Sequence, residues 1–365
     1  MEWKRTIGLM MAMMTALLLP GRTLGQESPK PCPRYQAPGQ FDNAPAVWGT
    51  TDSGVIVDGF VDLIGAGNKV FDVLHGSDLS IYNEVTHEKM AACGGKFSFV
   101  RMDNGFDTHY RALQKAGIKP VPYVYFKIPT ELRRAHKYVD SGDGSQQLEQ
   151  ILSKFELIAE KAASTTLNQL EQSQLALQSI EIAGMRGKLI AVDIEEKLLD
   201  EKQSQREHRV AYGRGYGRAL CRWTTLVKKR HTDLTVILYT MPAVYGDYLR
   251  YALPADHACI KGLPVWIAHT TADGGDSIYS SSRRAASIFS DESAQRLCLL
   301  STGNRCVIHQ YSHRATFASA KGFNPKKPQG IDINRWFPSI AINTEAGTDW
   351  VRRDDLPPPI TFHPK

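Results

Sequence analysis

Short, nearly continuous apolar runs recur along the chain, separated by longer stretches of mixed polarity. They are Val55-Ile56-Val57, Phe97-Ser98-Phe99-Val100, Val121 to Phe126, Leu189 to Val192, Val236 to Tyr239, Val265 to Ala268 and Val307 to Tyr311. Consecutive apolar positions of this length suit strands covered on both faces, as in a parallel sheet. The stretches between them carry helical signals. Thr108 to Ala116 leads into Gly117-Ile118-Lys119-Pro120, a helix stop followed by the next strand. From Gln146 onward, Leu148, Ile151, Leu152, Phe155, Ile158 and Ala162 share one helical face, and Asp143 with Gln146 has the spacing of a capping box. This polar-backed stretch predicts a helical elaboration over about 144–187, packed on the outside of the scaffold. Strand and helix alternating along the chain predict an α/β fold: a single irregular (β/α) barrel of the TIM-barrel type, enlarged by that insertion.

The two ends read differently. Lys4 and Arg5 precede an apolar run from Ile7 to Leu19, then Pro20 and the small-residue stretch Thr23-Leu24-Gly25, the order of a secretory signal. That run is short for a bilayer span, so export rather than stable membrane insertion is expected. The expected organisation is a signal peptide over 1–25, a Pro-, Gly- and Gln-rich leader over 26–44, the barrel over 45–350 and an exposed tail over 351–365. The mature chain would then be secreted, extracellular or periplasmic.

Export changes the meaning of the six cysteines. In an oxidising compartment they read as bridges, with Cys298 to Cys306 the favoured pair because two short apolar runs flank a Gly-Asn turn between them. No Cys/His spacing suggests a zinc site, and no metal or organic cofactor is implied. The formal charge of +6 forms no dense basic tract. Nucleic acid is therefore not an expected partner, whereas an anionic wall polymer is compatible.

The chemistry gathers where apolar runs end in polar residues, because strand C-termini form the active-site floor of such barrels. Asp58 follows Val55-Ile56-Val57; Asp193 and Glu195 follow Leu189 to Val192; Asp332 and Asn334 lie in G-I-D-I-N-R-W. Residues two apart on a strand share a face, about 6.6 Å apart. Two carboxyls so placed repel when both are ionised, so one holds its proton to higher pH and can serve as a general acid beside a carboxylate. Glu196 falls on the opposite face, and Glu196→Gln is expected to change little. Tyr123, Tyr125, Tyr239, Trp266 and Tyr311 stand near strand ends as candidate sugar-stacking faces, with core packing as their alternative. Asp103 could enter the same cleft or pair with Arg101. His269 and His309 are assigned no role.

In order, the segments F-S-F-V-R-M-D-N-G, A-G-I-K-P-V-P-Y-V-Y-F, L-I-A-V-D-I-E, V-I-L-Y-T, L-P-V-W-I-A, I-H-Q-Y-S and G-I-D-I-N-R-W resemble family 25 glycoside hydrolases, the muramidase-type lysozymes. The resemblance spans roughly Gly54 to Pro338. It implies an irregular (β/α) barrel acting on the β-1,4 bond between N-acetylmuramic acid and N-acetylglucosamine, with peptidoglycan or a related amino-sugar glycan as partner. On its terms Glu195 is the proton donor, Asp193 the acid facing the substrate's acetamido group, Asp58 the first-strand acid and Asp332 the last-strand acid. Tyr239, Trp266 and Gln310 match cleft positions that contact the sugar; Tyr125 and Asp103, from the strand-end reading, complete the expected substrate-binding set. Three departures alter the cleft wall: V-D-G-F-V-D-L in place of I-D-V-S, R-M-D-N-G in place of K-A-T-E-G, and Y-V-Y-F in place of Y-H-F-F. A non-catalytic glycan binder on the same barrel, or a glycosidase for another polymer such as chitin, are the competing expectations.

Overall fold

The computed structural model describes residues 35–37, 61–63, 74–134, 144–182, 185–199, 206–260, 262–268, 306–315 and 331–336. The expected signal and tail, the Val55-Ile56-Val57 run with Asp58, and Cys298 lie outside them; of the expected leader only 35–37 is described, and it forms a strand. Strands β1 (Tyr35–Ala37) and β2 (Val61–Leu63) form a separate parallel pair.

The main sheet closes on itself. Its strands are β3 (Leu74–Leu79), β4 (Gly95–Arg101), β5 (Lys119–Tyr125), β7 (Met185–Ile194), β8 (Leu234–Thr240), β9 (Val265–Ala268), β10 (Cys306–Ala315) and β11 (Ile331–Trp336). Each pairs with the next in that order. Strands β5 and β7 pair directly, Tyr125 opposite Asp193, and β11 returns to β3, so the ring is complete. Pairings from β3 through β10 are parallel; β11 is antiparallel to both neighbours. The one reversed strand is what makes the expected barrel irregular: an antiparallel return needs no helical crossover.

Period-two alternation sorts the ring into an inside and an outside. Phe97, Phe99, Val121, Tyr123, Leu189, Ala191, Ile237, Tyr239, Trp266 and Ile308 pack together as an inner core. Val100, Val124, Ile190, Val192, Ile194, Val236 and Leu238 pack outward against the helices. Gly76 completes the inner layer from β3, where a Cβ would fall 2.4 Å from the Phe97 ring. That strand is not apolar outside either: Ser77 hydrogen-bonds Ser98 at 2.8 Å and the Met90 sulfur at 3.2 Å.

Helices α1 (His87–Ala92) and α2 (Phe106–Lys115) connect the first strands; Gly117, at φ +78, takes the left-handed turn that ends α2. The insertion is the 29-residue helix α3 (Gly144–Gln172), a 3-10 turn at Gln174–Leu177 and β6 (Ile180–Ile182), which forms a hairpin with the start of β7. Helix α3 runs alongside α4 (Arg206–Arg230), with ion pairs Glu156–Arg218, Glu160–Arg222 and Glu171–Arg230 in order down the two helices. Close approach of α4 depends on Y-G-R-G-Y-G. A Cβ on Gly215 would enter the Phe155 ring, one on Gly213 would lie 2.1 Å from the Tyr248 carbonyl oxygen, and one on Gly217 would strike Ala252. Helices α5 (Pro242–Asp247) and α6 (Pro254–Ile260) follow β8, and α6 is tied to α4 by the disulfide Cys221–Cys259. Cys93 is also disulfide-bonded. The pairing expected from the sequence, Cys298 to Cys306, involves a cysteine outside the described residues. No described helix is long and apolar enough to cross a membrane.

Candidate active site

Along each inward-facing row, apolar residues come first and polar ones last, so polarity accumulates at one end of the barrel. Asp78 of β3, Asp193 of β7 and Gln310 of β10 stand at that end. Asp332 joins them because β11 runs backwards: its second residue, not its last, pairs with Asp78 in register. Glu195 continues the Asp193 face just past the end of β7.

These carboxyls are withdrawn from water. Asp193 is 8% exposed, and its Oδ1 has no hydrogen-bond partner among the described residues. Burial pushes its pKa well up, reinforced by the charges of Glu195 and Asp78 and opposed by Arg101. Glu195 is also raised, first by burial and then by Asp78 and Glu196, with Arg101 and Lys197 acting against the shift. The carboxyls of Asp78 and Asp332 hydrogen-bond each other. Asp78 Oδ2 also accepts from Asn334 Nδ2 at 2.9 Å and from Gln310 Nε2 at 3.1 Å. Those donors favour the carboxylate on Asp78, while burial and the Asp78 charge raise the pKa of Asp332 well above the ordinary value.

The aromatic residues form the floor beneath these acids. Trp266 is 2% exposed, stacked on Phe99 at 3.9 Å between centroids, with Tyr239 edge-on at 4.4 Å. Its Nε1 donates to Asn334 Oδ1 at 2.8 Å, and Tyr239 donates to Gln310 Oε1 at 3.0 Å. Both rings therefore brace the two amides that hold Asp78, and Trp266 has almost no face left for a sugar. Tyr125 lies at the rim with the Arg101 guanidinium 4.8 Å over its ring, and its hydroxyl donates to Glu196 Oε1 at 2.8 Å. Asp103 is spent on backbone: its Oδ1 accepts from the Gly105 N–H at 2.9 Å and its Oδ2 from the Ile81 N–H at 3.2 Å. It joins the loops after β3 and β4.

Of the residues singled out by sequence, Asp193, Glu195, Asp332, Tyr239, Trp266, Gln310 and Tyr125 converge on one end of the barrel, and Asp103 stands in the loop beside it. Asp58 lies outside the described residues, and the acid on the strand opposite Asp332 is Asp78. Its signal was in the sequence: Ser77-Asp78-Leu79-Ser80 has the acid, apolar, serine order of I-D-V-S. Arg101 and Glu196 were also missed as parts of the site, and Asn334 was placed at its strand end without a role; Glu196 is 4% exposed, its carboxylate bonded to Arg133 and Tyr125. Among the described residues no group of three or more His, Cys, Asp or Glu side chains has metal-binding geometry.

The barrel with acids at its strand ends defines the class of fold and site. Comparison with protein-family models returns no match, and neither does comparison with curated proteins. Among solved structures, the chain is similar to the spore cortex lytic enzyme SleM of Clostridium perfringens, with 15% identity over 73% of this chain and 68% of that one, TM-score 0.40. It is similar also to GHIP, a glycosyl hydrolase 25 of Streptococcus pneumoniae, with 14% identity over 75% and 90%, TM-score 0.40. A muramidase from Trichobolus zukalii gives 14% identity over 72% and 93%, TM-score 0.35. What this chain can do chemically follows from its own side chains.

Proposed function

We propose that the protein is a glycoside hydrolase that cleaves β-1,4 bonds in a peptidoglycan-like amino-sugar polymer, with Glu195 as proton donor. One observation carries this: four carboxyls, Asp78, Asp193, Glu195 and Asp332, converge at the strand ends; burial raises all four, and neighbouring carboxyls raise Asp193, Glu195 and Asp332 further. A structural ion pair would instead surround carboxylates with cations. Here burial and like charges favour the protonated carboxyl beside groups able to hold charge, which is what protonating a glycosidic oxygen demands. Glu195, the more accessible of the Asp193–Glu195 pair, gives its proton to the leaving oxygen as the glycosidic bond breaks. Water takes the anomeric carbon, directly or after the acetamido oxygen has held it, and the proton that water loses restores the acid. Asp193 offers the unpartnered Oδ1 to a substrate N–H, the acetamido group being the donor that the motif resemblance suggests. Asp78 and Asp332, hydrogen-bonded to each other, set the field behind them. Secretion fits the N-terminal sequence and the cystine bridge.

The test is hydrolysis of purified peptidoglycan and of chitin oligosaccharides by the secreted protein, with products read by mass spectrometry. Glu195→Gln should reduce release of muropeptides by about 100-fold or more while the fold is retained. Near wild-type turnover in that variant would refute the assignment. Wild-type binding without turnover on either polymer would replace the enzyme with a glycan-binding protein on the same barrel, and turnover of chitin alone would change the substrate.

A further inference from the structure

Immediately after Glu195 the chain leaves the sheet, and a segment outside regular structure has no ladder to hold it. Glu196 to Leu199 is nonetheless held at several backbone groups by side chains and by the Arg133 main chain. The Glu196 N–H donates to the Tyr216 hydroxyl oxygen at 3.1 Å, and the Tyr212 hydroxyl donates to the Glu196 carbonyl at 3.1 Å. The Leu198 N–H donates to the Tyr248 hydroxyl oxygen at 3.2 Å. Arg133 supplies the rest: its Nε donates to the Lys197 carbonyl at 2.8 Å, its carbonyl accepts from the Leu199 N–H at 2.8 Å, and its Nη1 ion-pairs with Glu196 Oε2. The other carboxylate oxygen of Glu196 takes the Tyr125 hydroxyl. Three tyrosines from the α4 side, one from β5 and one arginine from the loop after β5 thus converge on four residues. Backbone groups must be satisfied somewhere, but side chains from four segments are more than a surface turn needs.

We propose that Arg133 and Glu196 are a positioning pair that fixes the orientation and protonation of Glu195, a role that rests on Glu195 being the proton donor. The ion pair is the one charged element of this clamp, and it lies on the outer face of the strand end whose inner face carries the acid. Its negative member adjoins Glu195; its positive member points at the far carboxylate oxygen and neutralises part of that charge. The two partners therefore act on Glu195 with opposite sign. The other groups facing Glu195 are Asp78 from β3, Arg101 from β4, Tyr125 from β5, Asp193 and Lys197 from its own segment, Tyr239 from β8 and Asp332 from β11. None of them changes in the variants below.

The experiment is a carbon-13 NMR titration of the Glu195 side-chain carboxyl, assigned by its loss in Glu195→Gln. In Glu196→Gln a negative neighbour disappears and Arg133 is left uncompensated, so the Glu195 midpoint should fall by about half a pH unit or more. In Arg133→Met the Glu196 charge is unmasked, so the midpoint should rise by a similar amount. The double variant should return toward wild type. Arg133→Gln, which keeps a hydrogen-bond donor toward the Lys197 carbonyl, serves if Arg133→Met does not fold, and should move the midpoint the same way. In turnover, the alkaline limb should follow these shifts, with kcat reduced more than KM is changed. A purely structural clamp would lower thermal stability and leave the Glu195 midpoint unmoved in every variant; that result, or shifts of the same sign in both single variants, overturns the proposal. The titration needs no turnover. If wild type hydrolyses no glycan, the proposed function fails while the positioning pair is still judged.

Discussion

Asn334 is fully buried and bridges the aromatic floor to the acid cluster, so Asn334→Leu isolates what that bridge is worth. Leu keeps the heavy-atom branching of Asn and is the larger residue, so the substitution leaves no cavity behind. Two polar partners lose their bonds. The Trp266 indole N–H, now 2.8 Å from the amide oxygen, would be buried with no acceptor, a cost of about 1–3 kcal/mol. Asp78 Oδ2 would lose one of its two amide donors, a hydrogen bond to a charged group worth about 1.5–3 kcal/mol. Together the expected destabilisation is about 3–5 kcal/mol, measured by urea unfolding at neutral pH with linear extrapolation. Adding Trp266→Phe removes the orphaned N–H, so the double variant should be more stable than the sum of the single losses, by about 1 kcal/mol or more of coupling. An Asn334→Leu protein within about 1 kcal/mol of wild type would falsify the account of the bridge.

Asp193→Asn should uncouple activity from stability. A carboxyl whose folded pKa is raised contributes stability that is present below its unfolded value of 3.8 and lost as pH rises through the higher folded value. The variant should therefore be more stable than wild type at pH 7, show a flatter fall in stability above pH 4, and lose most hydrolysis. Gly213→Ala gains helix propensity of about 1 kcal/mol but drives a Cβ into the Tyr248 carbonyl at 2.1 Å, so a net loss of about 1–2 kcal/mol is expected in thermal or urea unfolding. Gly246→Ala, with nothing within 4 Å, should be neutral or stabilising in the same assay.

The strands most legible in the sequence were those apolar on both faces. Val236 to Tyr239 and Leu189 to Val192 serve the inner core and the outer helix layer with alternate residues, and a consecutive apolar run records that double burial. β3 escaped the same criterion. Its inward position is Gly76, made small by the Phe97 ring, and its outward position is Ser77, satisfied by Ser98 and Met90. A strand can be fully buried on hydrogen bonds and a missing side chain, and periodicity is blind to both. The Asp193–Glu195 pair could be placed because period two is local. Its electrostatic setting could not: Asp332 arrives from a strand running the other way, and Arg101 and Asn334 come from distant segments. Period two separates Glu196 from Glu195, but it says nothing of what the Glu196 carboxylate meets, which is Arg133 and Tyr125. Trp266 shows the converse. An aromatic near a strand end has the composition of a sugar platform, yet in a narrow barrel a large ring is the natural filling for the axis.

That filling makes the described barrel solid along its axis. Phe97, Phe99 and Trp266 pack together there, so the acids stand over a floor rather than at the mouth of a pore. Under the proposed function, a glycan would therefore meet Asp193 and Glu195 from the strand-end side, facing that floor.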